Sequence, residues 1–384
     1  MTATATRKEG LPESYYAPEF AIEIEGEELD PESKGDVLEL KIEMTFNEMT
    51  SAEVKLNNFD DTAYDLKWSD AEKLRLGSRV HVKLGYADRT RSMMRGYIST
   101  LTPEFADGPP TLTVRALDGM VRLKSSKPPA EEVTYKKVTD SQIAQKIAQR
   151  HNLRVKVTEE GPVHDLVVQR NTDDATFLKE RAKLHSFEVF MRTDPDTGED
   201  VLHFVSPTDG RGSEPISTYT LAWGGMRNTD IPPSLIEFKP VLAAGDQVQS
   251  VTVRGWDPKT KKKITQTATR ANTPGVAQID NTNGPEAAAT MGGTSEAKRE
   301  VVVDRPVASE EEALKVAQAI LSERAYRFLT GHGKVIGLPD LRPGTNVEIG
   351  GVGRRFSGTY FVTKVTHVLN QQGFLTEFDV SRRI

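Results

Sequence analysis

Along the first third of the chain, apolar side chains fall on every second residue. Leu38, Leu40, Ile42, Met44 and Phe46 alternate with polar neighbours, as do Val54 and Leu56, and then Val80, Val82, Leu84 and Tyr86. Successive side chains of a strand point to opposite faces, so this period predicts half-buried β-strands. Turn-forming stretches at Asn57–Asp61, Gly85–Arg89 and Asp107–Pro110 separate the runs, which favours an antiparallel barrel or sandwich of short strands.

The period then lengthens. Thr139-Asp140-Ser141-Gln142 has the form of a capping box, and Ile143, Ala144, Ile147 and Ala148 follow at helical spacing. A second helix is predicted from Asn171 or Thr172, with Asp173 and Asp174 in its positive first turn and Phe177, Leu178, Ala182 and Leu184 as its apolar stripe. Strands at Leu153–Val157, Phe187–Phe190 and Val201–Phe204, the last two flanking the turn Asp194–Gly198, complete a small α+β unit.

Strand patterns return at Leu235–Phe238, Val248–Trp256, Asn346–Ile349, Tyr360–Leu369 and Phe374–Val380. The basic run Lys259–Lys263 directly follows Asp257-Pro258 and reads as a hairpin tip. Arg270–Lys298 is rich in Ala, Thr, Asn, Gly and Pro, with few large apolar residues, and is expected to be a flexible insertion. A helix opening on Ser309-Glu310-Glu311-Glu312 aligns Ala313, Leu314, Ala317, Leu321, Ala325 and Phe328 on one face. It is expected to pack on the second barrel and to stop at Gly331-His332-Gly333.

Two parts of the chain share a frame. Leu74-Arg75-Leu76-Gly77-Ser78-Arg79-Val80 and Leu341-Arg342-Pro343-Gly344-Thr345-Asn346-Val347 each introduce a strand. The first is followed by Gly96-Tyr97-Ile98 and the alternating Leu112–Ala116, the second by Gly358-Thr359-Tyr360 and Leu375–Val380. The fold expected is therefore mainly β, with two related antiparallel β-barrel domains flanking a small α+β domain. The boundaries expected are a flexible N-terminus at 1–17, a first barrel at 18–130, the α+β domain at 131–210, and a second barrel at 211–384. The second barrel carries the flexible insertion at 270–300 and the helix at 309–329.

Composition narrows the function classes. A chain of 384 residues exceeds one ordinary core and suggests two or three domains. No apolar run approaches the length of a membrane span, and the first ten residues lack the apolar core of a signal peptide, so synthesis in the cytoplasm is expected. The absence of cysteine excludes disulfides, thiolate metal sites and a cysteine nucleophile. The net charge of −6 argues against a general nucleic-acid binder.

Catalytic signatures are few. His81, His151, His164, His185, His203, His332 and His367 are scattered, without the paired spacing of a zinc-peptidase helix. There is no Gly-x-Ser-x-Gly elbow. The acid pairs Glu27-Glu28, Asp60-Asp61, Glu131-Glu132 and Asp173-Asp174 read as solvated faces and helix caps, because neighbours on a strand point apart while glycosidase carboxylates must converge. Gly331–Lys334 lacks the spacing of a phosphate loop. No catalytic, cofactor or metal residue is nominated, and no cofactor is expected.

Three stretches carry a resemblance. Tyr16–Gly26 followed by Ala52–Asp60, then Val168–Ala182 with Gln169 and Asn171 ahead of a helix carrying Phe177-Leu178 and Arg181-Ala182, and finally Gly358–His367, resemble the phage late control gene D family, the tail hub proteins of contractile phages. The N-terminal half of the VgrG spike proteins of type VI secretion and extracellular contractile injection systems is similar. The resemblance spans most of the chain apart from the extreme N-terminus and Arg270–Lys298. It implies a homotrimeric baseplate hub in which three chains with two barrels each form a pseudo-sixfold ring, adapting a hexameric tail tube to a trimeric spike. The partners it implies are the tube or tube-initiator protein, a separate spike-tip protein and other baseplate proteins, with assembly into a phage tail or injection particle. A particle-borne cell-wall or polysaccharide-degrading enzyme, and a β-rich binding module unrelated to tails, are the alternatives.

Overall fold

Backbone ladders link most of the strands into one sheet, and the alternation of side chains decides which face of each strand is buried. The computed structural model describes residues 17–382 apart from 47, 88, 129–131, 160, 186, 207–217, 224–232, 258–260, 274–283, 293–297, 304–306 and 308. The expected flexible N-terminus at 1–17 lies almost wholly outside the described residues.

The first unit comprises β1 (Pro18–Ile24), β2 (Glu27–Glu28), α1 (Pro31–Gly35), β3 (Val37–Thr45), β4 (Ser51–Asn57), β5 (Phe59–Asp60), β6 (Asp65–Leu66), β7 (Arg79–Tyr86), β8 (Arg89–Glu104) and β9 (Thr111–Asp118). Its main strands lie in the order β1-β7-β8-β9-β4-β3. Leu40, Ile42 and Met44 on β3 and Val80, Val82 and Leu84 on β7 line its core, as the alternation requires.

The middle unit contains α2 (Met120–Ser125), β10 (Glu132–Val138), α3 (Asp140–Arg150), β11 (Arg154–Val157), β12 (His164–Arg170), α4 (Asp174–His185), β13 (Glu188–Thr193) and β14 (Asp200–Val205). Thr139 caps α3 with both bonds of the expected capping box. Ile143, Ile147, Phe177, Leu178, Leu202 and Phe204 share one core.

The second unit is a closed six-stranded barrel. It consists of β15 (Thr218–Trp223), β16 (Pro233–Leu242), β20 (Leu329–Ile336), β21 (Asn346–Gly350), β22 (Gly358–Asn370) and β23 (Gly373–Arg382), closed by the β22–β23 ladder. Strand β15 runs parallel to both β16 and β21, so the barrel is mixed where a wholly antiparallel one was expected. In the first unit the equivalent seam stays open: among the described residues β1 and β3 do not pair, and β3 pairs instead with β22 of the second unit.

Between β16 and β20 sits an inserted module with its own core. It holds β17 (Ser250–Asp257), β18 (Lys262–Thr269), a 3-10 turn at Arg270–Asn272, α5 (Gly284–Gly292), β19 (Arg299–Val302) and α6 (Glu310–Tyr326). The β17–β18 hairpin brings Asp257 opposite Lys262, in keeping with the expected tip, although 258–260 lie outside the described residues.

Helix α6 departs from expectation in two respects, its packing and its end. Helix α6 packs on the inserted sheet: Ala313, Val316, Ala317, Ile320 and Leu321 meet Val251, Val253, Ile264 and Ala268, because the apolar face of that small sheet would otherwise be exposed. Within the insertion, α5 buries Ala288 and its Glu286 pairs with Arg270. Gly331 and Gly333 do not stop α6, which ends at Tyr326, but belong to β20. A Cβ on Gly331 would lie 2.9 Å from the Phe238 ring, and one on Gly333 2.3 Å from that of Phe378.

Candidate functional site: a seam between two repeated units

The scattered chemistry of the sequence resolves into structural pairs. Asp174 is fully buried and accepts from His151 Nε2 at 2.7 Å, Gln169 Nε2 at 2.8 Å and Arg150. Asp140 faces His164 at 2.9 Å and Arg181. Glu28 pairs with Lys34, Glu132 with Arg170, and Asp173 caps α4 through the Thr176 N–H. Backbone N–H groups of Ala63 and Thr62 hold the Asp60 carboxyl below its usual range. His332, Lys334 and Lys364 pair with Asp379, Glu377 and Glu43 across one polar sheet face. Among the described residues, no cluster of His, Asp or Glu is placed to hold a metal ion.

What the fold does bring together is the repeated frame. In both copies the glycine has positive φ, +86° at Gly77 and +84° at Gly344, a region that favours glycine. Gly77 N–H donates to Ile98 O at 2.8 Å and Ile98 N–H to Ser78 O at 2.9 Å; Gly344 donates to Val362 O at 2.8 Å and Val362 to Thr345 O at 2.9 Å. Leu74 and Leu341 are both buried. One residue further on, Ser99 and Thr363 occupy matching bulges, and each hydroxyl donates at 3.1 Å to a carbonyl on the next strand, Arg115 and Asp379.

The correspondence extends through five strands in the same chain order: β3, β4, β7, β8 and β9 match β16, β20, β21, β22 and β23. Even irregularities recur. The β3–β4 ladder shifts between Val37 and Glu39, and the β16–β20 ladder between Leu235 and Glu237, placing Glu39-Leu40-Lys41 in register with Glu237-Phe238-Lys239.

The two units meet along β3 and β22, from Lys364 opposite Thr45 to Asn370 opposite Glu39. The second frame plugs this seam. Arg342 is buried and donates to Ser92 O at 2.8 Å, with Met44 and Met93 around it. Burial holds its guanidinium down to about 10. Arg192 of the middle unit donates to Pro343 O, lies 4.7 Å over the Phe190 ring, and is held down to about 10 by burial and then by Arg342. His367 bonds Thr376 Oγ1 at 3.0 Å and Leu341 O at 3.2 Å; burial, then Arg342, pushes it down to about 3. Tyr86 of the first unit donates to Gly337 O at 2.9 Å. Among the described residues the first frame has no such cover: Arg75 is exposed beside Glu72, and Leu76 is 67% exposed.

Comparison with known proteins follows this architecture. The model of the Alg8 N-terminal domain family matches residues 16–371, most of the chain. The chain belongs to the Alg8 N-terminal domain family. Within that family assignment, solved structures give the fold. The chain is similar to the prophage MuSo2 43 kDa tail protein from Shewanella oneidensis, at 14% identity and TM-score 0.69, over 96% of this chain and 99% of that one. It is also similar to a tail protein from Neisseria meningitidis MC58, at 15% identity and TM-score 0.67, over 96% and 97%. A third is the E. coli c3393 protein, described as a component of the type VI secretion system, at 15% identity and TM-score 0.57, over 94% and 76%. No curated protein matches the sequence.

Sequence reasoning found the frame but not what lies behind it. Arg342, Arg192 and Tyr86 were missed as seam residues. Arg342 stood in plain view beside Arg75, and nothing local separates a buried copy from an exposed one.

Proposed function

We propose that this chain is a structural hub subunit of a contractile tail or injection particle, of the late control gene D and VgrG type. It works as a homotrimer whose six similar units form a ring between a hexameric tube and a trimeric spike. The observation that carries this reading is the five-strand repeat in matching register, joined within one chain by the β3–β22 ladder. A chain with two like units can present sixfold spacing while keeping threefold symmetry, which a tube-to-spike adapter requires. The tail-protein folds with which it shares nearly its whole length support the same reading.

The role is mechanical and non-enzymatic: the buried acids Asp140 and Asp174 serve ion pairs inside the middle unit. The protein would assemble into the particle with tube, spike-tip and baseplate proteins, and need no cofactor. Native mass and electron microscopy of the purified chain, alone and with tube and spike proteins, test this. Three-chain rings that cap tubes are expected. A persistent monomer that ignores both partners, or peptidoglycan cleavage abolished by a single acidic substitution, would overturn it.

A further inference from the structure

The internal seam has an unfilled twin. Strand β22 shares one edge between two neighbours, first β21 and then β3. Its counterpart β8 pairs with β7 only up to Tyr97; on that same edge, residues 100–104 have no strand partner among the described residues. The counterpart of β3 is β16, and beyond Leu235 its edge away from β20 is likewise unpaired among the described residues. Each chain therefore offers both halves of a second seam, on different units.

We infer that β16 of a neighbouring copy adds to β8 of this chain, antiparallel, in the register of the β3–β22 seam, and that three such contacts close the ring. This rests on the hub reading and specifies its subunit interface. Transferring the internal register places Leu101 opposite Leu242, Thr102 opposite Val241, Glu104 opposite Lys239 and Phe105 opposite Phe238. The chemistry of the two edges fits. Glu104 and Lys239 are mainly exposed and of opposite charge. Val241, Leu242 and Phe105 are 55%, 39% and 65% exposed, an apolar stretch that a monomer would leave in water. Arg75 and Leu76, exposed here, occupy the places of Arg342 and Pro343, which the internal seam covers.

Pro103 and Pro240 also fall opposite each other, at the positions held internally by His367 and Ile42. Proline cannot donate to a ladder, so each free edge resists indiscriminate strand addition. Matched in register, the two prolines interrupt the same rung. The seam is heterologous, with different surfaces on the two sides, so it closes as a ring only if the rotation allows.

The chain has no native cysteine, so engineered pairs report cleanly. Position 102 opposite 241 repeats the internal pair Thr366 opposite Glu43; Phe46 N–H donates to Thr363 O at 2.9 Å, so by alternation along the ladder Thr366 and Glu43 form a pair that does not exchange bonds and brings side chains close. Oxidised Thr102→Cys/Val241→Cys protein is expected to run as a covalent three-chain species under denaturing, non-reducing conditions, and either single variant as one chain. Thr366→Cys/Glu43→Cys, cross-linking within one chain, verifies that the geometry transfers. Glu104→Lys should weaken assembly by up to about fivefold per seam, and adding Lys239→Glu should restore it. A native trimer in which 102 and 241 fail to cross-link while 366 and 43 succeed would overturn the inference and leave the hub reading standing. Open ladders of indefinite length would keep the seam but sink the threefold hub, and a monomer that never cross-links would sink both.

Discussion

Replacing Arg342 by alanine, and separately Arg75 by alanine, sets two residues of one sequence frame against each other. Arg342 donates to Ser92 O at 2.8 Å from a buried position, and its depressed pKa of about 10 means that keeping the charge there costs roughly 3 kcal/mol relative to water. Hydrogen bonds from a charged donor return about 1.5–3 kcal/mol each, so the native arrangement is close to balanced. Alanine removes the bonds and the packed stem together and leaves the Ser92 carbonyl without its donor, a loss of about 2–4 kcal/mol. Methionine, similar in length and uncharged, keeps the packing and sheds the desolvation cost, so Arg342→Met should lie within about 1.5 kcal/mol of the parent. Arg75 is exposed and its pair with Glu72 is a surface one, so Arg75→Ala should change monomer stability by no more than about 0.5 kcal/mol. The assay is urea unfolding at a protein concentration low enough to keep the chain monomeric, because the exposed first frame lies on the inferred subunit seam and assembly makes midpoints concentration-dependent. Equal midpoints for Arg342→Ala and Arg75→Ala, at unchanged m, would refute the claim that the second frame locks the seam.

Other perturbations follow from the same geometry. Asp118 is buried, accepts from Thr50 N–H at 2.7 Å and Met120 N–H at 3.0 Å, and burial pushes it up to about 7. An acid whose folded pKa is raised favours the folded state at low pH, so its contribution, up to about 4 kcal/mol, should fade as pH rises from about 4 to 7. Unfolding midpoints of Asp118→Asn across that range should lose this slope. His367 acts in the opposite sense: pushed down to about 3, it favours the folded state above its ordinary pKa and withdraws that support as pH falls from about 6.5 toward 3. Calorimetric scans of His367→Gln should show a shallower acid-side decline than the parent. Gly333→Ala drives a Cβ to 2.3 Å from the Phe378 ring, and thermal unfolding should report a loss of about 1–3 kcal/mol.

The sequence by itself determined the local grammar. Period-two runs on Leu40–Met44 and Val80–Tyr86 became strands with the expected faces buried, and Thr139–Gln142 became a capping box, because strand pleat and helix end depend on residues a few positions apart. The repeated frame was legible for the same reason: Gly77 and Gly344 each need positive φ within one turn. Partner choice was not legible. Backbone N–H and C=O groups are alike in every strand, so nothing local says that β3 pairs with β22, that β15 closes one unit by running parallel, or that the first unit stays open at the matching seam. Nor did the stripe on α6 reveal which sheet it covers, since any apolar face would satisfy it. Arg75 and Arg342 share one frame, yet one is solvated and the other buried. Tertiary structure alone decided that difference, because burial is set by what arrives from 250 residues away, here the Ser92 carbonyl.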